Sequence, residues 1–330
     1  MHKISIVLII LIIAAITGCA RQTHVSAVHK AAVSKPTDLA KIKPNEAGRV
    51  LILEYHDVGS TEGRWTRRAD NFRADLQRLY QLGYQPINLR DYVRNHINTS
   101  AGKSPVIFTF DDGTKGQFNM INAGGQDKVD PNCALAIMEN FARAHPDWPL
   151  KATFYIYYPI PFRQKQYIAQ KMRRILALGM DIGNHTNSHT RLDKLPDAQA
   201  AREIALNVKS AQVYVPNAIV DSIALPYGKG PKNKLLLKSG SYQGTSYHNI
   251  AALLVGAEPA PSPVSKDFDP YRLPRVQAIQ SELDLWLGYF KRHPEQRYVS
   301  DGDLDTVTVP KSMVDKIDKS RLGNVKLTIY

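Results

Sequence analysis

Two carboxylates stand side by side at Asp111 and Asp112, directly after the apolar run Val106–Phe110 and directly before Gly113. Two negative charges at the end of a buried strand lose hydration and repel each other, so the pair needs a reason. An ordinary polar turn is one, since Asp and Gly are common turn residues; a metal centre is the other. His185 and His189 bear on the choice: they lie four residues apart, a spacing that puts both imidazoles on one face of a helical turn, where they can serve one metal. With 10 His in 330 residues, about 0.3 such pairs arise by chance. The pair therefore carries weight only together with a carboxylate delivered from elsewhere in the chain. Asp112, His185 and His189 make the three-ligand set of a catalytic zinc site, which keeps a further position for water. Asp111 then has a different task, because a carboxylate beside water activated at a metal can take its proton during attack. The cation offsets the repulsion between the two aspartates, and Gly113 lets the chain turn away without crowding it.

The elements that must position these groups alternate along the chain. Short apolar runs at Val50–Tyr55, Val106–Phe110, Ala152–Tyr157, Met180–Gly183, Val220–Leu225, Ile250–Val255 and Val276–Ile279 read as strands. Amphipathic stretches at Ala69–Leu82, Leu89–Ile97, Asn132–Ala144, Gln164–Leu178, Asp197–Val213, Pro231–Ser239 and Ser281–Arg292 read as helices. Gly83 and Gly179 follow two of them as C-terminal caps. This alternation argues for an α/β fold with a parallel sheet, and about seven units for a distorted, closed or nearly closed (β/α) barrel; an open doubly wound sheet is the other architecture. No G-x-G-x-x-G follows a strand, which speaks against a dinucleotide site. In such folds the ligand site lies beyond the carboxyl ends of the strands. Those ends carry Glu54-Tyr55-His56-Asp57, Asp111-Asp112-Gly113, Asn184 to His189, and Leu225-Pro226-Tyr227-Gly228, with Arg272-Leu273-Pro274-Arg275 before the last strand. Polar, ionisable groups thus converge on one face. From Tyr298 the pattern changes to strands separated by turns, a short β-containing C-terminal appendage over 298–330.

Thr109-Phe110-Asp111-Asp112-Gly113, His185-Thr-Asn-Ser-His189 and Leu225-Pro226-Tyr227-Gly228 resemble the first three motifs of the polysaccharide deacetylases, carbohydrate esterase family 4 with its NodB-homology domain. The resemblance spans roughly residues 48–280. It implies a distorted (β/α) barrel, a divalent metal, zinc with cobalt or nickel as substitutes, and removal of acetyl groups from N-acetylated or O-acetylated sugars. Asp111 would be the base, Asp112, His185 and His189 the metal ligands, the Tyr227 N–H an oxyanion donor, and Pro226 and the Tyr227 ring part of the sugar site. The chain departs from the family in two places. Ala224 stands where an Arg usually orients the base, and the late strand around Gln277 lacks the usual acid His. Tyr55-His56-Asp57 and Pro274-Arg275-Val276 are similar to elements of the subgroup that deacetylates exopolysaccharide, poly-N-acetylglucosamine above all. On that resemblance Arg275 replaces the missing Arg beside Asp111, and His56 assists the acid step or binds substrate. A rim hydrogen bond for His56 and a structural ion pair for Arg275 are the alternatives. The activity expected is metal-dependent N-deacetylation of a GlcNAc-containing envelope or extracellular polysaccharide; an O-acetyl esterase or an inactive glycan-binding lipoprotein is the other outcome.

The N-terminus has its own pattern. Ile4–Ile16 is almost wholly apolar and leads into Thr17-Gly18-Cys19, a signal peptide over 1–18 with a site resembling the bacterial lipobox; a plain signal peptide is the alternative, as is a membrane anchor, for which the run is short. Cys19 would then be lipidated, and the protein exported and anchored to an envelope membrane. Residues 19–47 are polar and small, a flexible basic linker. Residues 21–49 hold six Lys/Arg against two Asp/Glu, a charge suited to an anionic lipid surface. The barrel is expected over 48–297. With Cys19 lipidated, Cys133 has no partner and no disulfide is expected. Net charge is +13; it suits an anionic envelope polymer or serves solubility alone, and nucleic acid is not expected as a partner.

Overall fold

The computed structural model describes residues 38–330. The signal peptide, Cys19 and most of the basic linker lie outside the described residues. Numbering only the elements of the central sheet and its main helices, the strands are β1 Leu51–Tyr55, β2 Tyr84–Pro86, β3 Ser104–Phe110, β4 Thr153–Ile156, β5 Asp181–Asn184, β6 Ser222–Ala224, β7 Ala251–Leu253 and β8 Val276–Gln277. The helices are α1 Ala69–Gln81, α2 Leu89–Val93, α3 Ala134–Ala144, α4 Ile168–Ala177, α5 Asp197–Tyr214 and α6 Gln280–Arg292. The sheet runs β7-β6-β5-β4-β3-β1-β8, with β2 branching from β3, and every pair in it is parallel. β2 pairs the first half of β3 and β4 the second half. This curled parallel sheet is the expected distorted barrel.

Its two edges, β7 and β8, are not neighbours, and one short run of chain bridges them. Leu273 pairs with Leu253 of β7, and three residues later Val276 pairs with Leu53 of β1. Arg275 therefore sits in the seam.

Strand parity sorts the side chains. Leu51, Leu53 and Tyr55 of β1, with Val106, Phe108 and Phe110 of β3, join the core under the helices. Ile52 and Ile107 point to the other face, where they meet Tyr155, Ala224 and Leu253. Continuing along that face brings Glu54 on β1 and Thr109 on β3, which are register partners, and then Asp111. The inner face thus changes from apolar to charged towards the carboxyl ends of the strands. Gly83 and Gly179, both with positive φ, end α1 and α4 as expected.

Four local expectations are corrected. Pro231–Ser239 forms only a 3-10 turn at Lys234–Leu237, and from Ser239 the chain becomes a hairpin, Ser239–Tyr242 with Thr245–His248. Gly240 lets that hairpin close, because a Cβ there would clash with the Tyr247 hydroxyl of the facing strand. Leu89–Ile97 is helical only to Val93. The strand expected at Val276–Ile279 pairs only through Gln277, because α6 begins at Gln280. His185 to His189 is a turn with Thr186 and His189 at positive φ, not a helical turn.

In the appendage, Thr306–Val309 and Lys326–Ile329 pair in parallel. Val307, Val309, Met313 and Ile317 pack on Val264 and Ala47. A short helix covers Leu39–Ile42, Pro44 is buried with its carbonyl accepting from Tyr330 Oη at 3.1 Å, and Asn45 bridges to Val299. Glu46 beside it is buried and accepts from Thr308 N at 2.8 Å. Among the described residues no helix is long and apolar enough to cross a membrane.

Candidate metal centre

The two aspartates after β3 point in opposite directions because the backbone reverses between them. Asp111 continues the extended strand, its N–H donating to Tyr55 O at 2.9 Å. Asp112 has φ +75 and Gly113 φ +53, a left-handed pair that strains a non-glycine residue by about 1–2 kcal/mol. Gly113 is also tightly covered: a Cβ would lie 3.0 Å from Ile156 Cγ2, which would have to shift. The reversal sends Asp111 into the barrel and Asp112 towards the turn after β5.

Inside the barrel, Asp111 meets Arg275. The guanidinium donates to both carboxylate oxygens, Nη1 to Oδ1 at 2.8 Å and Nη2 to Oδ2 at 2.7 Å. The same side chain donates to Thr109 Oγ1 at 3.1 Å and to Leu254 O at 2.7 Å, and its Nη2 lies 3.4 Å from Glu54 Oε1. Arg275 is 0% exposed. Burial pushes the Asp111 carboxyl up, but the charges of Arg275 and His185 outweigh it and hold the group below its ordinary value. Arg275 itself is held charged: burial opposes the charge, and Asp111 and Glu54 more than offset it.

The turn after β5 carries the histidines. His185 is buried and its Nδ1 lies 2.8 Å from the Ala224 carbonyl. Since a carbonyl only accepts, Nδ1 holds the hydrogen, and Nε2 of the neutral ring presents a lone pair. That Nε2 is 3.3 Å from Asp112 Oδ1, and His189 Nε2 is 3.1 Å from the same oxygen. Asp112 Oδ1 is buried and has no hydrogen-bond partner. A carboxylate oxygen facing imidazole lone pairs calls for a cation among them, and the donor set is that of a divalent metal such as zinc. Asp112, His185 and His189 offer ligand atoms within 4.8 Å of one another. The electrostatics agree. Burial raises the Asp112 carboxyl, but the His185 and His189 rings against it outweigh that and hold it far below the usual range. Burial opposes protonation of His185, but Asp111 and Asp112 outweigh it and shift the ring upward, so the carboxylates favour a positive charge at the position where a bound cation would replace that proton.

Helix α5 fixes this turn. Asn207 Nδ2 donates to Thr186 O at 2.7 Å and to Ile156 O at 2.8 Å, and Glu203 Oε2 accepts from Ser188 N at 3.0 Å. On the other side Gln117 Nε2 donates to His56 O at 2.6 Å and to the Asp111 carbonyl. Sequence reading placed Glu54 among the strand-end groups without a role and singled out none of Gln117, Glu203 and Asn207. Polar residues interrupting the apolar side of α5 were the only available sign for the last two.

The remaining expected residues line the rim. Pro226 is buried and starts the turn after β6. Tyr227 follows at φ +58, 59% exposed, with its ring 5.0 Å from that of His189. His56 stands between Glu54, with Nε2 3.8 Å from Oε1, and Trp65, with ring centroids 4.5 Å apart. The structure therefore gathers Asp111, Asp112, His185, His189, Arg275 and His56 around the strand ends, with Tyr227 at the edge. Among the described residues two groups have metal-ligand geometry, the Asp112 set and Glu54-His56-Asp111. In the second, Arg275 already provides the cation.

Comparison with known proteins bears on this geometry. A family model described as polysaccharide deacetylase matches residues 98–245, which includes Asp111, Asp112, His185, His189 and Tyr227 and leaves out Glu54, His56 and Arg275. No curated protein sequence matches. Among solved structures, a Bacillus anthracis protein described as a polysaccharide deacetylase is 17% identical with a TM-score of 0.51, covering 69% of this chain and 64% of its own. A Streptococcus pyogenes deacetylase in complex with acetate is 18% identical with a TM-score of 0.52, covering 70% and 92%. IcaB from Ammonifex degensii is 17% identical with a TM-score of 0.50, covering 72% and 97%. The chain spans less than two thirds of the first of these. At such identities the likeness establishes a shared fold.

Proposed function

We propose that this chain is a metal-dependent hydrolase that removes N-acetyl groups from a GlcNAc-containing polysaccharide of the envelope or extracellular matrix. One observation carries the reading. Of two adjacent carboxylates, one is clamped by a buried Arg and kept off the ligand set, and the other faces two imidazoles at 3.1 and 3.3 Å. A structural ion-pair network has no use for that division, whereas hydrolysis needs a base beside a Lewis acid.

When bound by Asp112, His185 and His189, a divalent metal polarises the acetyl carbonyl and acidifies water. The chain supplies the rest. Asp111, kept ionised by Arg275, takes a proton from the attacking water as its oxygen bonds to the carbonyl carbon. The Tyr227 N–H donates to the developing oxyanion. His56 gives a proton to the nitrogen as the C–N bond breaks, because an amide anion does not leave. The products are acetate and a glucosamine unit. The exposed Tyr227 ring and Pro226 form a wall for the sugar. Upstream, Cys19 would carry lipid and the basic residues after it would face anionic headgroups, holding the enzyme at an envelope membrane.

The test is acetate release from N-acetylglucosamine oligomers by the full-length chain, stripped of metal and resupplied with zinc or cobalt, with Asp111→Asn alongside. Release that requires metal and vanishes in Asp111→Asn is expected. Release only from O-acetylated sugars would make the protein an esterase. Sugar binding with no release from either substrate, metal being bound, would make it a glycan-binding protein.

A further inference from the structure

Glu54 is a carboxylate buried in the barrel that the reaction outlined above does not use. Its two oxygens are in different states. Oε2 accepts from Gly256 N at 2.7 Å, which fixes the side chain. Oε1 is buried with no hydrogen-bond partner. Its neighbours are Arg275 Nη2 at 3.4 Å and His56 Nε2 at 3.8 Å. Arg275 Nη2 donates to Asp111 at 2.7 Å and makes no hydrogen bond to Oε1, which leaves His56 Nε2 as the neighbouring donor able to satisfy it. The imidazole is confined from the other sides: Trp65 lies against it, and Gln117 holds its backbone carbonyl.

We infer that Glu54 is the positioning residue for His56: it accepts a hydrogen bond from Nε2–H and so directs Nδ1 to the leaving nitrogen, which takes the Nδ1 proton of the imidazolium form as the C–N bond breaks. Catalytic hydrogen bonds are often long before substrate binds. Closing this one needs a movement of about 1 Å to reach ordinary N–H···O length. A carboxylate on one ring nitrogen fixes both the tautomer and the ring orientation. This rests on His56 acting as the acid in the reading above.

The experiment compares wild type, Glu54→Gln and Glu54→Asp as full-length, zinc-loaded proteins on two substrates. One is an N-acetylglucosamine oligomer, whose amine must be protonated to leave. The other is 4-methylumbelliferyl acetate, whose phenolate leaves without a proton. In Glu54→Gln, kcat on the oligomer is expected to fall about 10- to 100-fold with KM nearly unchanged. Ester turnover and zinc content are expected to hold within about threefold. Glu54→Asp keeps the charge and should recover part of the loss; it gives the same amide–ester split should the Gln variant fold poorly. Equal losses on both substrates, or none on the oligomer, overturn the proposal. Wild type inactive on oligomers would instead be the failure of the deacetylase reading. Nitrogen-15 spectra of the histidines then decide Glu54 separately: His56 protonated at Nε2 in wild type, and a tautomer mixture in Glu54→Gln, support the pairing, and identical spectra refute it.

Discussion

Arg275→Met gives the most direct test of how the barrel tolerates its charged interior. Methionine keeps an unbranched chain of similar reach and removes the guanidinium, which is 0% exposed. Two buried carboxylates, Asp111 and Glu54, then lose the cation that lies 2.7 and 3.4 Å from them. The Thr109 hydroxyl and the Leu254 carbonyl lose a donor as well. At an effective dielectric of about 20, one pair of unit charges about 4 Å apart is worth about 4 kcal/mol. Breaking a buried pair by removing one partner costs about 3–5 kcal/mol. For a domain of this size that lowers Tm by about 5–8 °C. The assay is urea and thermal unfolding of metal-stripped protein, so that ligand linkage does not contribute. Removing the stranded charges should restore most of the loss, so Arg275→Met with Asp111→Asn and Glu54→Gln is expected to be more stable than Arg275→Met alone. A loss under about 1 kcal/mol in the single variant, or a triple variant no more stable than the single, would show that the ion cluster is not what holds the seam.

Other perturbations act on separate parts of the structure. Gly113→Ala places a Cβ at φ +53, 3.0 Å from Ile156, and should cost about 1–3 kcal/mol in urea unfolding; a loss below about 0.5 kcal/mol would mean the loop relaxes freely. Asp112→Asn should weaken zinc at least about 100-fold in competition with a chromogenic chelator, and Asp111→Asn less than about tenfold; similar losses would remove the division of labour between the two. Glu46 gives a pH dependence remote from the metal ligands. Burial and the Asp301 carboxylate raise its carboxyl to about 8 from an ordinary 4.5. Between those values the folded state holds a proton that the unfolded chain has lost. This contribution is therefore complete below pH 4.5 and is lost as pH rises through about 8. Unfolding free energy should decline over that window, and less so in Glu46→Gln; equal slopes would refute the assignment.

The strand runs, the helix repeats and the cap glycines were legible locally, because period-2 and period-3.6 patterns and left-handed caps are properties of neighbouring residues. The same parity put Asp111 on the inner face with Ile107 and Thr109, and Glu54 with Ile52. The pairing of two adjacent aspartates with two histidines four apart was likewise readable, since ligand types and order survive in the sequence. Register and closure were not. Arg275 reaches Asp111 across a separation of 164 positions because Leu273 joins β7 and Val276 joins β1, and no local pattern encodes which edges meet. Glu54 looked like one polar residue in an apolar strand; only the neighbours brought by β3, β8 and the Gly256 segment give its two oxygens different states. The Pro231–Ser239 helix failed for the same reason, the leucine run there giving way to a hairpin whose Gly240 lies under Tyr247. The sequence by itself determined which groups exist and which face each strand presents, because both follow from backbone geometry over a few residues. The tertiary structure decided which of those groups share a dry interior, where a charge persists only beside the partner that long-range packing delivers.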